Sequence, residues 1–219
     1  MAYGETIFDI IYLIIAMFCG IFILVKHKTK AHIIIGVAIL LLGLGDAFHL
    51  IPRMMSYFSD KDLTAALGAG KLITSITMTL FYVLLYGAYI KQYNKKEHLS
   101  LSIVMFVLLL VRIVLLALPQ NNWFNGTCTL AFGIGRNVPF FIMGIIVTVL
   151  YFLARKETKI LWPIWLYIIL SFAFYIPVVV GASKVPLLGM LMLPKTIMYI
   201  LMILSFIIYT FKNQDKGFN

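Results

Sequence analysis

Three residues able to do chemistry fall within one short segment. GDAFHLIPRM, residues 45–54, carries Asp46, His49 and Arg53, and the preceding residues 31–44 hold no titratable side chain except His32. On a helix, positions i, i+3 and i+7 share one face. An acid, an imidazole and a guanidinium on one face can bind an anion, carry a proton or work as an acid–base pair. Counted from Ala31 at ~1.5 Å per residue, Asp46 lies about 22 Å into its helix.

Arg112, in LLLVRIVLLALP, lies at a similar depth, roughly 20 Å beyond His98. A central arginine in a bilayer costs about 2.5–3.5 kcal/mol on insertion scales and is tolerated where it faces a polar interior and finds a partner. Matched depth makes Asp46 and Arg112 the expected partners, since pairing offsets the desolvation of both. The structural alternative is that such a pair only locks two helices together. Arg53, Lys71, Arg136 and Lys195 fall at span ends, where snorkelling to headgroups is the plain alternative to binding. Hydroxyl stripes accompany them: Ser75, Tyr82, Tyr86 and Tyr89 follow Lys71, Tyr167 and Tyr175 flank Ser171, and Tyr199 follows Lys195. Such stripes also serve helix packing.

Taken together, Arg53, Lys71, Arg112, Arg136 and Lys195 face only Asp46 and Asp9 as acids within spans. That imbalance predicts a polar, net-positive cavity selecting carboxylates, phosphates or a lipid headgroup. GIGRNVPF, residues 133–140, adds glycines and an arginine at a helix start, a weak anion signal. Pro52 is expected to kink the second helix beside the Asp46–His49–Arg53 face.

The elements that position these residues follow from composition. The chain has 219 residues, 63% hydrophobic and 12% charged, whereas soluble domains run nearer half apolar and a quarter charged. A span needs about 20 apolar residues, and that pattern recurs to predict an all-α bundle of seven transmembrane helices in one polytopic domain, 1–219. The spans are expected near 6–25, 32–52, 70–90, 99–118, 137–154, 160–181 and 189–211. The segments KHKTK (26–30), KQYNKKEH (91–98), RKETK (155–159) and KNQDK (212–216) gather most of the 18 Lys and Arg residues. The positive-inside rule then predicts an outside N-terminus and a cytoplasmic C-terminus. The opening residues lack a basic n-region and a cleavage site, so the first run reads as a retained span. NGT at 125–127 would be a glycosylation acceptor in a host with that pathway.

Other chemistries are not supported. The net charge of +10 sits in short loops and does not suggest nucleic acid. Cys19 and Cys128 fall at different depths and predict neither a disulfide nor a zinc site. His49 is the sole histidine expected within a span, no HExxH or GxSxG motif occurs, and no cofactor or metal is expected. The leading expectation is a multi-pass protein of a bacterial plasma membrane, acting as transporter or sensor. Its outward-facing cavity would bind an anionic small molecule or lipid headgroup through Asp46, His49, Arg53, Lys71, Arg112, Arg136 and Lys195. An intramembrane enzyme on a phospholipid or prenyl-phosphate, with Asp46 and His49 catalytic, is the first alternative. A purely structural membrane subunit is the second. Expected partners are membrane lipids, with a homo-oligomer or an energising subunit left open.

Overall fold

A computed structural model describes residues 2–26, 29–125, 128–182 and 184–212. Parts of three sequence segments therefore lie outside the described residues: His27 and Lys28 of KHKTK, Gly126 and Thr127 of NGT, and the KNQDK tail beyond Lys212. The described chain is helical, with α1 at Ala2–Lys26, α2 at Lys30–Ser56, α3 at Thr64–Gln92, α4 at Leu99–Ala117, α5 at Leu130–Gly135, α6 at Val138–Leu153, α7 at Ile164–Gly181 and α8 at Met192–Lys212. Short 3-10 segments, Pro119–Asn121 and Pro186–Leu191, precede α5 and α8. With α5 and α6 taken as one segment, Leu130–Leu153, seven helical segments are long and apolar enough to cross a membrane. This is the architecture of a multi-pass membrane protein.

Local sequence sets the boundaries. Thr29 caps α2 by accepting from the His32 amide. Leu118 is extended before Pro119 and ends α4. Pro139 occupies the first turn of α6, where its missing N–H costs nothing. Pro52 does not end α2, which stays helical to Ser56. The fifth span differs from expectation: it begins at Leu130 and breaks at Arg136 and Asn137, rather than starting at 137.

Apolar side chains point outward as well as inward. Ile7, Ile14, Phe18, Ile21 and Val25 of α1 and Phe106, Leu110 and Val114 of α4 are exposed, which suits helices facing lipid rather than water. The core gathers aromatic rings from α3, α6, α7 and α8: Tyr82 packs against Phe140, Phe172 and Phe81, and Phe81 meets Tyr199. Contacts assign the bundle ends. Arg53 pairs with Glu5, and Arg136 donates to Asn121, at one end. Lys95 pairs with Glu157 at 2.7 Å, and Phe22 meets Phe211, at the other. The second end carries the basic loops.

α2 and α3 approach closely through glycines. A Cβ on Gly70 would overlap the Phe48 carbonyl and the His49 Cα, and one on Gly45 would overlap the Thr77 side chain. Thr74 reinforces the contact by donating its hydroxyl to the Gly45 carbonyl at 2.9 Å. This pairing brings His49 and Lys71 to one wall.

Candidate functional site

At the end opposite the basic loops, a cavity of about 720 Å³ opens between α2, α3, α4, α6, α7 and α8. Arg53, Lys71, Arg112, Arg136, Lys195 and His49 all line it, and among the described residues no Asp or Glu does. The hydroxyls of Tyr57, Thr74, Ser75 and Tyr175 add polar surface, while Met78, Phe140 and Val178 supply apolar wall. Its size falls within the ~300–1,000 Å³ typical of small-molecule pockets.

Each cation is held differently. Lys71 reaches the cavity from α3 with no hydrogen bond or ion pair to any described residue. Arg112 is only 2% exposed. One of its terminal nitrogens donates to the Arg136 carbonyl, the other to Asn137 Oδ1 at 2.9 Å, and its Nε is buried without a partner. Arg136 donates to Asn121 Oδ1 at 2.6 Å and stacks over Trp123, 4.2 Å from the ring centre. The Lys195 ammonium sits 4.9 Å from the Tyr175 ring and 5.3 Å from Tyr199. Arg53, at the rim, pairs with Glu5, and its Nε donates to Tyr57, whose hydroxyl donates in turn to Glu5. His49 carries a buried, unpartnered Nδ1.

The expected Asp46–Arg112 pair does not form. Arg112 is bound by the break between α5 and α6, and Asp46 accepts from the Tyr12 hydroxyl of α1 at 2.6 Å. Depth along two helices says nothing of the direction in which each side chain points, and here α2 turns Asp46 toward α1. Asp46 is accordingly absent from the cavity lining. Arg53 is an ion-pair partner rather than a free snorkelling residue. The α3 stripe also divides: Lys71 and Ser75 line the cavity, Tyr82 lies in the core against Tyr199, Tyr86 bonds Ser102 at 2.8 Å, and Tyr89 packs on Tyr93 and Tyr151. Of the α7 stripe, Tyr175 reaches the cavity and Ser171 is buried, bonded to its own helix.

Several residues of this site escaped sequence reasoning. Asn121 is buried and donates through Nδ2 to the carbonyls of Leu115, Leu116 and Leu118, closing the end of α4. Asn137 accepts from Arg112 and Tyr175 while donating to Gly133. Trp123 donates to Leu116 and carries the Arg136 guanidinium. The only signal was the polar run QNNW between two apolar spans, which reads as a solvated loop. Gly133 and Gly135 have open space around them and no left-handed backbone, so neither position needs a glycine for close approach or for a turn. The two cysteines are free, Cys19 in the core and Cys128 at the cavity wall.

No family model, curated protein or solved structure matches this chain. The class rests on the molecule itself: a multi-pass membrane protein of seven apolar spans with a basic cavity at one end.

Proposed function

We propose that this protein binds an anionic small molecule or lipid headgroup in the basic cavity, on the outer side of the membrane, as a transporter or sensor. One observation carries the reading: five Lys and Arg side chains and His49 line a single cavity to which no acid among the described residues contributes. Glu5 answers Arg53 at the rim, Lys71 stands exposed in the cavity, and the Arg112 Nε is buried without a partner. Cations gathered this way, partly out of water, favour a ligand that brings negative charge. The unpartnered Arg112 Nε also weighs against a purely structural role, in which each charged donor would be matched for packing. The enzyme alternative is weakened by Asp46, which bonds Tyr12 and leaves His49 without an acid partner in the cavity.

The test is ligand-dependent stabilisation of the purified protein in detergent. Succinate, inorganic phosphate and a short-chain phosphatidic acid serve as probes, alongside mass spectrometry of what co-purifies. At least one anion is expected to raise the melting temperature of the wild type, less so in Lys71→Gln. A charged hydrogen bond contributes ~1.5–3 kcal/mol, so that variant should bind roughly tenfold or more weakly. Absence of stabilisation by every anion, with no anionic compound co-purifying, overturns the reading.

A further inference from the structure

A second polar cluster lies between α1 and α2, away from the cavity lining. Asp9 is 4% exposed, and its Oδ2 is buried without a hydrogen-bond partner. The Thr6 hydroxyl, one turn earlier on the same face of α1, is likewise buried and unpartnered. One turn later Tyr12 donates to Asp46 across the interface. The charges acting on Asp9 are those of Arg53, Glu5 and Asp46, while Lys195 of α8 acts on Asp46. Arg53 makes no hydrogen bond to Asp9 Oδ2; its guanidinium contacts Glu5 and Tyr57 instead. A buried carboxylate oxygen with no donor is a costly arrangement that proteins relieve by pairing, by binding a cation or by protonation.

We propose that Asp9 and Asp46, with the hydroxyls of Thr6 and Tyr12, hold a small monovalent cation, Na+ or a proton, between α1 and α2. The available donors are all oxygen, the set that suits hard cations. Two carboxylates with Arg53 and Lys195 nearby leave too little negative charge for a divalent ion. Among the described residues no three His, Cys, Asp or Glu side chains gather as metal ligands. Either occupant relieves the unpartnered Asp9 Oδ2, Na+ by coordination and the proton by removing the carboxylate charge. Asp46 connects this site to Lys195, so occupancy changes the field at a cavity-lining ammonium. The proposal does not depend on the anion reading.

Thermal unfolding of the purified full chain in detergent tests it. In the first arm Na+ replaces choline at constant ionic strength. In the second, pH is varied without Na+. For a Na+ site, the wild-type melting temperature rises with Na+, Asp9→Asn is flat, and Thr6→Val responds only at higher Na+. For a proton site, a folded state that takes up a proton loses stability as pH rises, and Asp9→Asn removes that part of the slope. Should Asp9→Asn fail to fold, the wild-type response and Thr6→Val still report on the Na+ arm, and Asp9→Leu replaces it in the pH arm. Wild-type insensitivity to both variables, or an equal response in the Asp9 variant, overturns the proposal.

Discussion

At the residue scale, the cations of the cavity divide by what holds them. Lys71 has no hydrogen-bond or ion-pair partner among the described residues, so its role is read through a ligand; Lys71→Gln should leave the melting temperature of the ligand-free protein unchanged, which thermal unfolding checks. Arg112 is built into the fold. Its side chain answers the Arg136 carbonyl and Asn137 Oδ1; replacement by Met would strand the first and leave the second only the Tyr175 hydroxyl. Stranding a buried acceptor costs ~1–3 kcal/mol, so Arg112→Met should lower stability by about that much even without ligand. Unfolding in denaturant reads that loss, and an unchanged midpoint would show that the α5–α6 break stands without the guanidinium. The contrast separates a binding cation from a structural one, a distinction that residue type alone cannot make.

At the element scale, the cavity depends on how near α2 lies to α3. Gly70 sits where a Cβ would meet the backbone of Phe48 and His49, so Gly70→Ala must move one helix. Overpacking of this kind costs about 1–3 kcal/mol, and the displacement also shifts His49 relative to Lys71. Gly70→Ala is therefore expected to lose both stability and anion response. Gly87, in the same helix, has its nearest neighbour, Ile34, at 4.0 Å. Gly87→Ala should be neutral or stabilising by about 0.5–1 kcal/mol, since alanine loses less freedom on becoming helical. Equal effects from the two substitutions would mean that helix propensity, rather than the α2–α3 approach, governs this pair.

At the scale of the whole molecule, the two ends differ in charge character, and orientation follows from which end faces the cytoplasm. In a Cys128→Ser background, Lys61→Cys should react with an impermeant maleimide in intact cells and Lys156→Cys only after lysis; Cys19 is buried. The opposite pattern would invert the topology and turn the cavity toward the cytoplasm. The basic end is tied by Lys95 and Glu157, both substantially exposed. Hydrogen bonding to Glu157 raises the Lys95 ammonium above the ordinary lysine value. Its contribution is thus present at neutral pH and lost as pH rises through the raised value. Glu157→Gln should abolish that alkaline loss and barely change the neutral melting temperature, because an exposed pair in water is worth little. A large neutral destabilisation would mean that the loop contact is structural.

Hydropathy alone determined the seven spans, because crossing a hydrocarbon layer demands long apolar helices whatever their neighbours. Pro119 marked the end of α4 to within a residue, but the span start at Leu130 was hidden, because a break stabilised by Arg112 and Asn137 leaves no mark in local sequence. The cationic residues were legible as residues, since a charge in an apolar span stands out. Their partners were not. Which way Asp46 points depends on the rotation of α2 about its axis, which is set by the glycine contact with α3 and the Tyr12 hydroxyl on α1. Only the packed bundle decides that Arg112 bonds to Asn137, that Glu5 answers Arg53, and that Asp9 keeps one carboxylate oxygen without a donor.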